Sequence, residues 1–404
     1  ASSSLLDEPI LRLRRVKHRR QKPFAIMARS VEAVREFAQL SEEEERLLTS
    51  YIRPILLLRK ADSYSLSEHI APGLHNIGVM LPYTGLHLLL FDHSKEPAFI
   101  MTSANPPSEP IVTDNDEAVR KLGRDVDYFL FHDRVIAQRC DDSVVRVHGG
   151  NVTIIRRSRG YAPEPILLGR TLGRHVIGVG AEENVTACIL LGDRAFPSQH
   201  IGDVENVETL NFLEEATRHL IRLTNSKIEA VACDLHPKFN TTRLAYKLAE
   251  EFNCPVMRVQ HHHAHIAALM AEHNLDEIVG IACDGYGYGP KGEAWGGEIL
   301  YCNRESYKRI GHLEEQPMPG GDLATYYPLR MAAGILHKIT DISEWLLSKS
   351  NFLPHGKTEA ELILKQLEKG VKLETSSCGR VLDAISAILG VCYERTYEGE
   401  PAMK

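Results

Sequence analysis

The run Val259-Gln260-His261-His262-His263-Ala264-His265, with Ala282-Cys283-Asp284-Gly285 after it, governs how the chain is read. Apolar residues from Pro255 to Gln260 predict a strand, and the histidines open a helix directly behind it. Upstream, strand 229–233 and helix 241–252 continue the same alternation, and helix 205–224 precedes them. Alternating βα units predict an α/β fold with a largely parallel, doubly wound sheet. Ligands in such folds sit at strand C-terminal ends. His261 and His265 are four apart, so both imidazoles leave one helix face toward that end. Asp284, 19 positions after His265, closes the apolar strand 278–283 and supplies a carboxylate where a second strand ends. Histidines at this spacing also occur on ordinary helix surfaces. The carboxylate turns the reading to a metal site of two histidines and one acid, a set that suits zinc or iron.

Around this centre the glycines of Gly285-Tyr286-Gly287-Tyr288-Gly289 predict a flexible turn. Pro290 and Gly292 prevent an immediate helix, so a dinucleotide site is not expected and a phosphate-binding turn is. Gly320-Gly321-Asp322 offers a second turn before a helix over 328–337. In the first third, strand-like runs cover 24–27, 55–58, 128–131 and 152–155, and Ser41-Glu42-Glu43-Glu44 is a capping box. Beyond the pattern break at Gly160, Pro163 and Pro165, a strand over 176–179 and a hairpin built on 187–191 and 195–199 about Gly192-Asp193 are expected. We place the domain boundary at that break, giving 1–165 and 166–404. A basic stretch runs from Arg12 to Lys22. Its ordinary reading is a solvated helix face; its functional reading is a phosphate clamp in which Lys17 and Arg19 join Ser103 and Asn105.

With 404 residues, one hydrophobic core is not expected. A net charge of -7 argues against nucleic acid as the default partner. No stretch has the roughly 18 consecutive apolar residues of a membrane helix, and no signal-peptide core opens the chain, so a cytoplasmic protein is expected. Eight cysteines are scattered singly and read as reduced, mostly buried thiols.

The motifs also resemble known families. Lys17-x-Arg19, Lys22-Pro23-Phe24 and Ser103-x-Asn105 resemble the YrdC-like adenylate-forming domain. Gln260 to His265, Asp284-Gly285 and Trp295-Gly296-Gly297-Glu298 resemble the Kae1-like, actin-related (ASKHA) ATPase domain. In this order they resemble the hydrogenase maturation carbamoyltransferases, the HypF family. Cys140-Asp141-Asp142-Ser143, Arg156 to Pro165, Ser198 to Asp203 and Ser376 to Leu382 extend the likeness over nearly the whole chain. Asn184-Val185-Thr186 departs from it, since the family there usually has Lys-Asn-Thr. Against the family pattern the chain reads as truncated at both ends.

The resemblance implies a relay. Carbamate released from carbamoyl phosphate is joined to AMP from ATP, with magnesium, at Lys17, Arg19, Ser103 and Asn105. The carbamoyl group then passes to the C-terminal cysteine of a partner, HypE, toward cyanide ligands of [NiFe]-hydrogenases. Gly285, Gly287, Gly320, Gly321 and Asp322 would bind nucleotide in the Kae1-like part, and His261, His265 and Asp284 one zinc or iron ion. Two rival readings are a tRNA threonylcarbamoyladenosine-forming enzyme and an inactive metal-binding or docking piece. His263-Ala264, where the tRNA branch usually has Glu-Gly, and the overall negative charge weigh against the first.

Overall fold

The structure, a computed structural model, describes residues 1–404. Its first sheet has seven strands, in the order Ser2–Ser3, Ala98–Met101, Ala25–Ala28, Asn76–Met80, Ile55–Arg59, Val144–His148 and Asn151–Arg156. Ala25–Ala28 runs parallel to Asn76–Met80 and antiparallel to Ala98–Met101. The inward residues Ile26, Leu56, Leu58, Ile77, Val79 and Ile100 form one core with Ile10 and Phe37 from flanking helices. Helix Glu42–Thr49 begins with the expected capping box, Ser41 and Glu44 each accepting from the other's backbone.

The basic stretch divides by role. Arg14, in helix Asp7–Val16, is buried and donates to the carbonyls of His69 (2.8 Å) and Arg19 (3.0 Å), so it anchors the turn that follows. Arg12 pairs with Asp127 and Arg15 with Glu8 at the surface. The expected strand at 128–131 does not form. Tyr128 is 92% exposed and Leu130 72%, while Phe129 and Phe131 stack on each other at 5.2 Å. β-propensity needs a partner strand, and none of the sheets includes this segment.

A second sheet of four strands has the order Val256–Val259, Ala230–Asp234, Ile166–Gly178, Cys188–Pro197. Its Ala230–Asp234 strand is parallel to Ile166–Gly178, with Val231 opposite Ile177. Two expectations are corrected here. The strand begins at Ile166, well before 176, and the hairpin over 187–199 is one continuous strand. Gly192 takes a positive φ of 62° inside that strand, so the Gly-Asp pair is absorbed as a local irregularity and does not reverse the chain. Helices Val207–Thr224 and Asn240–Phe252 match the predicted pair, and each ends on an asparagine in the left-handed region, Asn225 and Asn253.

The third sheet is not parallel. Glu277–Tyr288, Ala294–Asn303 and Tyr307–His312 form an antiparallel meander, extended by Glu374–Thr375 and Gln316–Pro317. The connecting turns are too short for a crossover helix; Asn303 closes one by accepting from the amides of Glu305 and Ser306. By contacts the chain forms two compact units. One comprises Ala1–Ile166, Leu172–Ala232 and Phe239–Val256, and the other Leu167–Thr171, Cys233–Lys238 and Met257–Lys404. No helix is long and apolar enough to cross a membrane.

In the second unit, helices Pro328–His337, Ser343–Ser348 and Gly356–Glu368 pack through Leu329, Ala333, Leu346 and Ile363. Against this apolar cluster sits a buried ion pair, Arg330 Nη2 to Glu359 Oε1 at 2.6 Å, with Arg330 Nη1 also on the Pro319 carbonyl and Glu359 Oε2 accepting from His355 N–H. Removing one member of such a pair strands the other charge. Arg330→Met is therefore expected to cost about 3–5 kcal/mol in urea unfolding. A loss under about 1 kcal/mol, in the range of solvent-exposed pairs, would show that Glu359 does not depend on its partner.

Candidate functional site

Strand Val256–Val259 delivers the chain to Gln260, whose side chain caps helix His261–Glu272 by accepting from His263 N–H at 2.9 Å. That cap sets the phase of the four histidines. His261 and His265 face the same way as predicted, their Nε2 atoms 3.3 Å apart. Both converge on Asp284 Oδ2, at 3.1 Å from His261 Nε2 and 3.8 Å from His265 Nε2. His262 joins them from the buried side, its Nε2 3.4 Å from the same oxygen. His263 turns away and lies over Tyr307, with ring centroids 4.8 Å apart.

A second carboxylate, absent from the sequence-based site, completes the arrangement. Asp234, at the end of strand Ala230–Asp234, places Oδ2 2.8 Å from His261 Nδ1, and its side chain is 4% exposed. This contact holds the ring so that Nε2 points at Asp284, as carboxylates commonly do for histidines that ligate metals. Burial works against a charge on His261, but Asp234 and Asp284 outweigh it and raise the imidazole to about 9. Burial would likewise raise Asp284, yet His261 and His262 hold it well below the usual carboxylate range. His265 is pushed down by burial and by His261.

Two carboxylates here thus demand a positive charge, which the protein supplies by protonating His261. The residues also fit a cation. His262 Nε2 is buried without a well-aligned hydrogen-bond partner, and His261, His265 and Asp284 offer ligand atoms within 4.8 Å of one another.

The glycines beside Asp284 have a different role from a turn. Strand Glu277–Tyr288 continues through them, with a register shift between Cys283 and Gly287. A Cβ on Gly287 would meet the His262 ring, with Nε2 at 2.8 Å. The residue is glycine because an imidazole occupies the space. Gly285 has no atom within 4 Å of such a Cβ, and its own amide donates to Asp284 Oδ1 at 2.6 Å. Ser377 donates to the carbonyl of Gly285 (2.8 Å) and lies 3.1 Å from that of Asp284, which ties the start of helix Cys378–Ile388 to this strand. Glu298 of the Trp295–Glu298 motif is fully buried between Arg309 and Ser376. At Gly320, whose φ is 83°, a Cβ would collide with Arg330, while Gly321 and Asp322 lead into the short helix Leu323–Tyr326.

In the first unit, the sequence-predicted Lys17, Ser103 and Asn105 are brought together. Lys17 Nζ donates to the carbonyls of Ser103 (3.0 Å) and Asn105 (2.8 Å) and to Asn105 Oδ1 (2.8 Å). Ser103 Oγ donates to the same Oδ1 at 2.6 Å. Arg19 stacks its guanidinium 5.3 Å from the Phe24 ring centre. Behind them, Asp141 pairs with Arg156 at 2.6 Å, and this carboxylate acts on both Lys17 and Arg19. Burial first and Arg19 second bring Lys17 down to about 8, against Asp141. Lys17, Arg19 and Arg156 share one acidic neighbour, and such a surplus of cations suits a polyanion.

Sequence profiles match three stretches of the chain. Residues 3–158 match the Sua5/YciO/YrdC family described as telomere recombination, 171–272 match the HypF Kae1-like domain, and 280–404 match "Carbamoyltransferase, Kae1-like Domain, second subdomain". The probable carbamoyltransferase HypF of Methanocaldococcus jannaschii is 46% identical over 98% of this chain and 52% of its own length. Carbamoyltransferase HypF2 of Cupriavidus necator is 42% identical over 98% of this chain and 51% of its own. The crystal structure of T. kodakarensis HypF superposes with a TM-score of 0.94 at 47% identity, covering 99% of this chain and 53% of that one. Full-length HypF in its phosphate- and nucleotide-bound form gives 0.92 at 42%, covering 99% and 62%. This chain spans about half the length of the curated relatives it matches. With a YrdC-like domain followed by a Kae1-like domain, the chain belongs to the HypF family.

Proposed function

We propose that the chain carries the two nucleotide-using steps of a cytoplasmic carbamoyltransferase of hydrogenase maturation, with the domain boundary at 165/166. Its similarity over 98% of its length to proteins named carbamoyltransferase HypF is the observation that carries the reading. In the first step carbamate, derived from carbamoyl phosphate, attacks the α-phosphorus of magnesium-bound ATP and expels pyrophosphate, giving carbamoyl-AMP. Charge builds on the phosphate oxygens during that attack. Lys17 and Arg19 stand ready to neutralise it, and Ser103 and Asn105 hold Lys17 in place.

In the second step the thiolate of a C-terminal cysteine, that of HypE, takes the carbamoyl group and releases AMP, leaving a thiocarbamate. His261, His265 and Asp284 would hold a zinc or iron ion, which supplies Lewis acidity to an oxygen of the bound adenylate. Asp234 orients His261 for that duty, and Gly287 leaves room for His262. Gly285, Gly320, Gly321 and Asp322 are proposed to line the nucleotide beside it. None of the chain's eight cysteines is assigned a covalent role.

Calorimetric titration with magnesium ATP tests the first step. Lys17→Ala is expected to weaken binding by about tenfold or more, in line with loss of a charge-assisted contact. Equal affinity in both proteins would remove Lys17 from the site. The ammonium is charged below about 8 and neutral above it, so wild-type affinity should fall as pH rises from 7 to 9. Lys17→Ala should show no such slope.

Metal content tests the second step. Purified chain should retain zinc or iron, and His261→Ala/His265→Ala should lose it. Asp234→Asn is expected to weaken metal binding by about ten- to 100-fold while keeping the three ligands. Equal metal in all three proteins would end the assignment.

A further inference from the structure

The Asp141–Arg156 ion pair has Lys17 and Arg19 in its field, and it also acts on a side chain from the 171–272 segment, His200. The loop that carries His200 is pinned from both ends. Ser198 N–H donates to the Ala187 carbonyl (2.7 Å) and Ser198 Oγ accepts from Ala187 N–H, while Ile201 N–H donates to Val185 and Val185 N–H to Gly202. Next to His200, the Gln199 amide donates to the Arg139 carbonyl at 2.9 Å. Arg139 in turn binds the Ile111 carbonyl and Glu215, and lies over Phe212. The loop is thus docked two residues from Asp141, and all these residues lie in the same compact unit.

Four charged groups act on His200: Arg156 and Lys22 as cations, Asp141 and Asp203 as anions. Burial foremost, then Arg156, brings the imidazole down to about 4, so at neutral pH it is an uncharged ring with one N–H to give. Lys17, Arg19 and Arg156 share the carboxylate of Asp141 on the YrdC-like side, and Lys22 adds its charge at His200. A neutral donor there can approach phosphate without adding to the mutual repulsion of the cations.

We infer that His200 is a phosphate-binding residue of the ATP site formed by Lys17, Arg19 and the Asp141–Arg156 pair, contributed to the YrdC-like domain by the Kae1-like segment. The inference rests on the nucleotide role proposed above for Lys17. It makes the adenylate-forming site composite: the first domain's own residues bring the cations, and the second brings a neutral hydrogen-bond donor.

The test is magnesium ATP titration of the whole chain by calorimetry, comparing wild type with His200→Ala, His200→Gln and Lys17→Ala. At pH 7.5 His200→Ala should weaken binding about tenfold, as expected for loss of one hydrogen bond to a charged oxygen, and His200→Gln should recover part of it. At pH 5.5, repeated in buffers of different ionisation enthalpy, wild type should take up more protons on binding than His200→Gln. A bound polyanion raises the imidazole from about 4, whereas Lys17 is already charged at that pH. A residue that only docks the loop would not move proton uptake. His200→Gln melting at the wild-type temperature separates these effects from misfolding.

Wild-type affinity and proton uptake in both His200 variants, with Lys17→Ala losing ATP, would overturn this inference alone. Absence of ATP binding by wild type would overturn it together with the reading of Lys17.

Discussion

A half-buried carboxylate must be answered by positive charge, and much of the second unit is arranged around that demand at Asp284. The strand end fixes where the acid emerges, the Gln260 cap fixes the phase of the helix that answers it, and three imidazoles close on one oxygen. Asp234 adds a second negative group on the other ring nitrogen of His261, so one imidazolium between the two acids answers both. His261 supplies it by staying protonated well above its ordinary range. The same geometry that makes this proton hard to remove makes a cation a natural replacement for it.

The first unit poses the opposite problem. Around Lys17 the cations Lys17, Arg19 and Arg156 outnumber the acid Asp141, and the cations of this region are kept from scattering by neutral acceptors: Lys17 is held by two carbonyls and an amide oxygen, Arg14 by a set of carbonyls, Arg19 by an aromatic face. Carbonyls orient an ammonium without cancelling its charge. Surplus positive potential is thereby stored where a polyanion can use it, and burial has already brought Lys17 close to losing its proton.

How much of this was legible depended on the range of the interaction. His261, His265 and Asp284 followed from helix periodicity and from an acid at the end of an apolar run. Asp234 is 27 residues before its partner and required the tertiary fold, although Ala232-Cys233-Asp234 repeats the Ala282-Cys283-Asp284 ending and could have been noticed. Tyr128 to Phe131 had the composition of a strand but no sheet edge to join. The glycines from 285 to 289 looked like a turn because glycine permits one. At Gly287 the requirement is the approach of a ring, a reason for glycine that leaves no local pattern. Asp141, Arg156 and His200 stood in recognisable motifs, yet their convergence is a matter of packing between distant segments.

The register shift between Cys283 and Gly287 determines where the chain can tolerate changes in length. Within it Asp284 must face the imidazoles, and where pairing resumes Gly287 must sit against His262. Because strand side chains alternate, one residue gained or lost between them would turn one of the two to the opposite face. The turn from Asn303 to Tyr307, in the same meander, is under no such restriction. Insertions are therefore compatible with the fold at the far end of the sheet, while the four residues from Asp284 to Gly287 act as a ruler of fixed length.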